Sequence, residues 1–205
     1  MRNFPYPDKE LSREELTRDI LYGKIPEDAR AVISDRAWET GAAAAKDIFN
    51  EGGESQNIYD AARRGGLVLE KQHVDQIVGK VRYFSEYFPD EGKIVLYTVS
   101  IGRWAEKNGM PYDEAEEMIL AHEYFHHLEF VKLGQTSRQY LVPTLKIGKW
   151  ELIQSGIRAL SEIGAHGFAG TYHEITRGEP PRNDTGSRLR NHAVNVAGLA
   201  RLIRK

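Results

Sequence analysis

An HExxH sequence, Ala121-His122-Glu123-Tyr124-Phe125-His126-His127, lies inside a longer apolar segment of the chain. On an α-helix, residues four apart differ by about 40° around the axis and about 6 Å along it, so His122 and His126 lie on one face. Their imidazole nitrogens could then bind one ion, with Glu123 beside them. The pattern is typical of zinc sites in which two histidines and a third protein ligand leave a position for water, and the glutamate accepts a proton from that water.

The segment around this motif is predicted to be one buried helix. Pro111 and the acidic residues after it suit the positive N-terminal end of a helix, and Gly134 provides a stop. Apolar residues occur around nearly the whole circumference between these ends. They are Met118, Ile119, Leu120, Ala121, Tyr124, Phe125, Leu128, Phe130, Val131 and Leu133. Burying histidines without partners is costly, and a bound metal removes that cost. The alternative is a surface helix whose polar residues are solvated.

A second helical segment downstream contains the candidates for a third ligand. Glu162 and His166 are four residues apart in it, and either could reach the ion. The segment also contains Gly164, Gly167 and Gly170, each of which costs a helix up to about 1 kcal/mol relative to alanine. We therefore expect another backbone, that of the HExxH helix, to approach closely at these glycines. The alternative is that Glu162 pairs locally or is solvated, as most helix carboxylates are.

Together the two motifs resemble those of the ImmA/IrrE-type zinc metallopeptidases, which are small bacterial gluzincins. The matching stretches are Ile119-Leu120-Ala121-His122-Glu123-Tyr124-Phe125-His126 and Glu162-Ile163-Gly164-Ala165-His166-Gly167-Phe168-Ala169. The resemblance implies a zincin-like fold, one Zn²⁺ per chain bound by His122, His126 and Glu162, and Glu123 as the catalytic general base. It also implies that the substrate is a protein or peptide, with a helix-turn-helix transcriptional repressor as the type that this family cuts.

The bulk composition agrees with a soluble enzyme that has one sizeable core, and it says little more. The chain has 205 residues, 40% of them hydrophobic, and a formal net charge of -2. That balance argues against a dedicated nucleic-acid-binding or membrane protein. The absence of cysteine excludes disulfides, a cysteine nucleophile and thiolate ligands. No signal core or apolar run of about 20 residues is present, so we expect a cytoplasmic protein without a membrane partner.

The predicted fold class is α+β, with a small, mainly antiparallel sheet packed on the buried HExxH helix and with helices at both ends. We expect one domain over residues 1–205, made of a helical extension (1–55), a metallopeptidase core (56–178) and a C-terminal helix (179–205). The first two helices would serve in packing, as a partner-binding arm, or as a cover over the cleft.

Local signals place the individual elements. A capping box at Ser12 predicts a first helix that ends at Gly23, and two more helices are predicted at 26–50 and 58–64. Strands are predicted at 67–69, 81–88 and 93–97, the last two joined by a turn at 89–92. In the resembled family an edge strand binds the substrate peptide, and Ile94 to Thr98 is the candidate; an ordinary core strand is the alternative.

The oxyanion that develops during peptide hydrolysis needs a hydrogen-bond donor. Tyr172, His173 and His192 are the candidates, and the sequence does not choose among them. His166, if it is not a ligand, could be a hydrogen-bonding partner just outside the metal shell. His127 lies about 100° around the helix from His126 and is expected to point elsewhere.

Two other functions stay open at this stage. Glu123, His126, Glu162 and His166 also resemble the carboxylate and histidine sets of di-iron helical bundles. Such a bundle needs a second Glu-x-x-His, which Ala165 interrupts. The third possibility is a non-catalytic regulatory protein whose metal is structural, although an intact Glu123 would then have no task.

Overall fold

Helices and small sheets alternate along the chain, in a computed structural model that describes residues 7–53, 55–147 and 150–178. The helices are α1 (Lys9–Thr17), α2 (Glu27–Glu51), α3 (Ile58–Arg64), α4 (Thr98–Asn108), α5 (Tyr112–Leu128) and α6 (Ala159–Arg177). The strands are β1 (Val68–Gln72), β2 (Gln76–Val78), β3 (Val81–Tyr83), β4 (Ser85–Phe88), β5 (Lys93–Tyr97), β6 (Leu141–Ile147) and β7 (Trp150–Gly156). The predicted α+β class is confirmed.

The HExxH helix, α5, begins directly after Pro111, as predicted. Proline at this position has a suitable φ of -59° and no N–H to leave unpaired, and Asp113 and Glu114 lie in the first turn, at the positive end of the helix dipole. Most of its residues from Ala115 to Leu128 are buried, including His122 and Glu123.

The end of α5 differs from the prediction. The helix continues into one π-helical turn, Glu129–Leu133, before Gly134 stops it with a φ of +76°. The wider turn shifts the side chains around the axis, so Phe130 and Val131 are exposed by 61% and 57%, whereas Glu129 is buried. The expectation that the core extends through Leu133 is therefore wrong, since that residue is also exposed.

A three-stranded sheet in the order β1-β5-β4 packs beside α5. Strand β5 pairs parallel with β1 and antiparallel with β4, so the sheet is mixed rather than mainly antiparallel. The turn between β4 and β5 is present, with Gly92 at a φ of +55°. Because β5 is the central strand and Thr98 already belongs to α4, the assignment of Ile94 to Thr98 as an edge strand is wrong.

The predicted strand at 81–88 is two strands in different sheets. Strand β3 forms a short hairpin with β2, and β4 joins the larger sheet after the buried Phe84. A second hairpin, β6 and β7, was not predicted; it occupies the long connection between the two motifs. Its register is irregular between Pro143 and Lys146, and Leu141, Leu145 and Ile153 are exposed. Without regular alternation, such a strand pair gives little signal in the sequence.

Helix α1 starts earlier than the capping-box signal indicates. Asp8 is the N-cap, and its side chain accepts hydrogen bonds from the backbone N–H groups of Glu10 and Leu11. Ser12 lies inside the helix and is fully buried, so the predicted cap at this residue is wrong. The helix ends at Thr17 rather than at Gly23. Helices α2 and α3 agree with the prediction within one residue.

Helices α2 and α6 contact each other backbone to backbone. A Cβ atom on Gly41 would lie 1.8 Å from the carbonyl oxygen of Gly164, and one on Gly167 would lie 2.4 Å from that of Trp38. The α6 glycines therefore do mark a close approach, but the approaching backbone is α2 rather than the HExxH helix. Helix α5 contributes the Phe125 ring, 2.8 Å from the Cβ position of Gly164.

Some predicted features lie outside the described residues, namely the C-terminal helix after residue 178 and His192 within it. Among the described residues, none of the helices combines the length and the apolar character needed to cross a membrane.

Candidate metal centre

Three side chains from two helices converge on one point. His122 and His126 of α5 have their Nε2 atoms 3.3 Å apart. The Oε2 atom of Glu162, on α6, is 3.3 Å from His122 Nε2, and its Oε1 atom is 3.6 Å from His126 Nε2. The ligand atoms of the three residues all lie within 4.8 Å of one another, so the group could hold a metal ion. Of the two candidates for a third ligand, Glu162 belongs to this group.

The position of Glu162 depends on how α6 is held. The backbone N–H of Ala159, at the start of α6, donates to Asp19 Oδ2 at 3.0 Å. Two residues beyond Glu162, Gly164 lets α6 pass against both α2 and the Phe125 ring of α5. The Phe125 and Phe168 rings pack 5.9 Å apart between the two motif helices. The metal group therefore lies where α5 and α6 are fixed to each other by packing.

Glu129 orients His126. His126 Nδ1 lies 3.1 Å from Glu129 Oε2. Because an ionised carboxylate can only accept, Nδ1 carries a hydrogen, and Nε2 is the ring nitrogen that faces the metal group. Glu129 also accepts hydrogen bonds from the backbone N–H of Thr136 at 2.7 Å and from the Ser161 hydroxyl. Burial alone would raise the pKa of Glu129, but these hydrogen bonds lower it below its ordinary value.

Sequence reasoning did not single out Glu129. The signal that could have found it is its spacing, three residues after His126 on the same helix, where a side chain can reach back to the imidazole. A carboxylate that holds a metal-binding histidine in this way is a common feature of zinc sites.

The electrostatics of the group favour a cation. Burial lowers the pKa of His126, but the hydrogen bond with Glu129 and the charges of Glu162 and Glu123 outweigh it and raise the pKa to about 9. The same negative charges would stabilise a divalent cation at this point.

Glu123 is buried next to the group without belonging to it. Its Oε1 atom accepts a hydrogen bond of 2.7 Å from the Ser85 hydroxyl on β4. Glu123 is only 1% exposed, and Ser85 is 3% exposed, so this bond is made away from bulk solvent. Glu123 therefore lies between the metal group and the edge strand of the sheet.

His166 is a neighbour of the metal group rather than one of its ligands. Its ring lies 5.2 Å from that of His122, centroid to centroid, and its Nδ1 atom is 3.3 Å from the Ser12 hydroxyl of α1. Burial and the neighbouring charges of His122 and His126 hold the pKa of His166 well below its ordinary value, so the ring is neutral. Helix α1 thus packs against α6 at the turn that follows Glu162.

The oxyanion candidates that can be described point away from the group. Tyr172 donates to the Gln56 carbonyl at 2.7 Å, and His173 Nε2 lies 3.1 Å from Glu114 Oε1. Both follow Glu162 by about 15 Å along α6, given the rise of a helix. They line a separate cavity of about 180 Å³ between α3, α5 and α6. This position does not suit an oxyanion donor at the metal group.

His127 points elsewhere, as predicted. Its Nε2 atom donates to the Gly65 carbonyl at 3.1 Å, and its Nδ1 atom accepts from the Tyr87 hydroxyl at 3.0 Å. Because a carbonyl can only accept, the hydrogen of the neutral ring is on Nε2. Burial lowers the pKa of His127 below its ordinary value despite the hydrogen bond to Gly65. The residue joins α5 to β4 and to the turn before β1.

Comparisons of this chain with protein-family models, with curated proteins and with solved structures find no match. What the site does must therefore be argued from its own residues.

Proposed function

We propose that this protein is a zinc-dependent peptidase with a zincin-like core. The observation that supports it most is the convergence of two imidazole nitrogens and one carboxylate oxygen from His122, His126 and Glu162. Two histidines and a glutamate are a donor set that catalytic Zn²⁺ uses, with a further position left for water. The glutamate inside the motif, Glu123, is adjacent in sequence to one of the proposed ligands.

The proposed reaction is hydrolysis of a peptide bond. A bound zinc ion would supply a Lewis acid that lowers the pKa of water toward about 7 and polarises the carbonyl. Glu123 accepts the proton of the attacking water and passes it to the leaving amine. Glu129 orients His126 through its hydrogen bond to Nδ1, and the His166 ring packs beside that of His122. This chemistry requires Glu123 to be ionised and fixed in orientation before the substrate arrives.

The edge strand β4, rather than β5, is the proposed site for an extended substrate. The backbone N–H of Tyr97 donates to the Phe84 carbonyl at 2.8 Å, so Phe84 bonds toward β5. In an antiparallel pair only every second residue bonds to a given neighbouring strand. It follows that Ser85 and Tyr87 direct their backbone N–H and C=O groups away from β5. Strand β4 ends the sheet as far as the chain is described, so these groups could pair with a peptide next to Glu123.

Motif resemblance is the support for assigning the protein to the ImmA/IrrE-type peptidases. On that resemblance, the proposed substrate is a helix-turn-helix repressor, and the proposed location is the bacterial cytoplasm.

Two alternatives are less well supported by the site. A di-iron centre usually has several carboxylates, whereas the ligand group found among the described residues contains one, Glu162. A purely structural metal site would give no role to Glu123, a carboxylate buried beside the ligands.

The test is cleavage by the zinc-loaded protein of a helix-turn-helix repressor and of a random fluorogenic peptide pool. Glu123→Gln should retain zinc and lose cleavage, since the amide preserves the shape but cannot accept the proton. Glu117→Gln is the matched control, because Glu117 is on the same helix and pairs with Arg177 instead. Cleavage at the wild-type rate by Glu123→Gln would remove this residue from the mechanism. Cleavage of peptides but not of the repressor would reject the repressor as the substrate and would leave the proposed peptidase activity intact.

A further inference from the structure

We infer that Ser85 is a positioning residue for Glu123 and that it couples the general base to the strand that receives the substrate. The inference rests on the proposed function. Its basis is the hydrogen bond of 2.7 Å from Ser85 Oγ to Glu123 Oε1, formed between two buried side chains.

The bond restricts which oxygen of Glu123 can act as the base. Oε1 is occupied by the serine hydroxyl, whereas Oε2 has no hydrogen-bond partner within the described part of the chain. A carboxylate held through one oxygen cannot rotate freely, and the other oxygen keeps its lone pairs for a proton. Ser85 therefore selects Oε2 as the atom that takes the proton from water.

Strand geometry makes the bond sensitive to the position of β4. Ser85 and Tyr87 are two residues apart, so their side chains lie on the same face of the sheet. That face is turned toward α5, where Ser85 meets Glu123 and Tyr87 meets His127, four residues later. The backbone groups of the same two residues form the free edge of β4. A peptide added at this edge would thus pair with the residue that orients the base.

Within the described ranges of the chain, Ser85 is the residue that makes such a bond to Glu123. The hydroxyl of Ser161 bonds to Glu129 behind His126, and that of Ser12 approaches His166. Ser85 comes from the sheet, whereas these two serines come from helices α6 and α1.

The test compares Ser85→Ala with Ser85→Thr, which keeps the hydroxyl. The probe is acetohydroxamic acid, whose two oxygens chelate zinc and whose proton passes to a neighbouring carboxylate, here Glu123. The affinity for the hydroxamate therefore depends on how Glu123 is placed, and it can be measured without a substrate. Calorimetry on the zinc-loaded proteins should show that Ser85→Ala binds the hydroxamate at least about 10-fold more weakly than the wild type does. A loss of this size is typical of residues that orient a metal site. Zinc affinity itself should be unchanged, and Ser85→Thr should recover most of the hydroxamate binding.

Ser34→Ala is the matched control. Ser34 is equally buried, lies on α2, and its hydroxyl is without a hydrogen-bond partner among the described residues, so its removal should leave both affinities unchanged. If Ser85→Ala does not fold, Ser85→Cys replaces it, because a thiol has similar size and is a weaker donor. Hydroxamate binding by Ser85→Ala at the wild-type affinity would overturn the inference.

The same experiment separates this inference from the proposed function. Hydroxamate binding that depends on Ser85, in a protein that cuts neither the repressor nor any peptide of the pool, would retain the positioning role and reject the peptidase. If zinc binds but wild-type protein does not bind the hydroxamate, the metal has no open position, and both proposals fail. With a substrate that is cut, the loss in Ser85→Ala should fall on kcat and leave KM nearly unchanged.

Discussion

Gly41 of α2 and Gly164 of α6 lie so close that a Cβ atom on Gly41 would be 1.8 Å from the Gly164 carbonyl oxygen. Real Cβ atoms do not approach a backbone to this distance, so a larger residue must push the two helices apart. Gly164 follows Glu162 by two residues on α6. The packing of the N-terminal helix α2 therefore helps to set the position of a proposed metal ligand.

Gly41→Ala should destabilise the protein. Overpacking against a rigid backbone typically costs about 1–3 kcal/mol and exceeds the gain of up to about 1 kcal/mol from the helix propensity of alanine. Urea unfolding measures the change. Gly102→Ala in α4 is the control, because its Cβ would meet only the Tyr112 ring at 3.8 Å, and it should be neutral or stabilising. Equal stability of the two variants would contradict the close packing of α2 on α6.

Glu129→Gln should weaken zinc binding by about 10- to 100-fold, because an amide does not hold His126 Nδ1–H as firmly as a carboxylate does. Competition with a chromophoric chelator measures the affinity. Glu51→Gln serves for comparison: Glu51 pairs with Lys132 at 2.8 Å on the surface and should not affect zinc. A normal zinc affinity in Glu129→Gln would show that Glu129 has no part in the metal site.

Glu162 and His166 should respond differently to substitution. Glu162→Ala removes one of three proposed ligands and should nearly abolish zinc binding. His166→Ala removes only a neighbour of the ligands and should cause a milder loss of about 10- to 100-fold. Zinc titration of the two variants gives the order. The reverse order would indicate three histidine ligands and would reject the gluzincin type of site.

Glu116 should contribute a pH-dependent stability that is separate from the metal. Burial raises its pKa, but hydrogen bonds from Lys71, Tyr112 and Tyr59 outweigh burial and lower the pKa below its ordinary value of 4.5. A group whose pKa is lower in the folded state stabilises the fold above its unfolded pKa and loses that contribution as the pH falls through the folded pKa. The metal-free protein should therefore lose stability on acidification.

Urea unfolding of metal-free protein as a function of pH tests this contribution. Glu116→Gln should be less stable than the wild type at neutral pH, and the difference should shrink as the pH falls below about 4.5, the usual glutamate range. The exposed Glu27 provides the control variant, Glu27→Gln. If the difference in the free energy of unfolding between Glu116→Gln and the wild type does not depend on pH, the ionised carboxylate of Glu116 does not stabilise the fold.

The sequence predicted the elements whose signals are local. The start of α5 at Pro111 and the bounds of α3 follow from helix-end residues and periodicity. The spacing of His122 and His126 predicted two members of the metal group, because helix geometry fixes where residues four apart point. For the third member, spacing alone left Glu162 and His166 open, and only the family resemblance favoured Glu162.

Features that depend on tertiary contacts could not be predicted. Nothing local distinguishes the central strand β5 from the edge strand β4, because strand order is decided by pairing between distant segments. Gly164 indicated a close approach but not that its partner was Gly41. Ser85 has no sequence relationship to Glu123, since their contact joins a strand to a helix that is 38 residues away.

Metal analysis of the purified protein, with zinc K-edge X-ray absorption, tests the central claim most directly. We predict about one zinc per chain, with nitrogen and oxygen ligands at about 2.0–2.2 Å and no sulfur. Glu162→Ala should lose the metal under the same conditions, and Glu117→Gln should keep it. A protein that binds no transition metal after purification in zinc-replete, chelator-free buffer, or that binds two irons per chain, would contradict the assignment of His122, His126 and Glu162 as a zinc site.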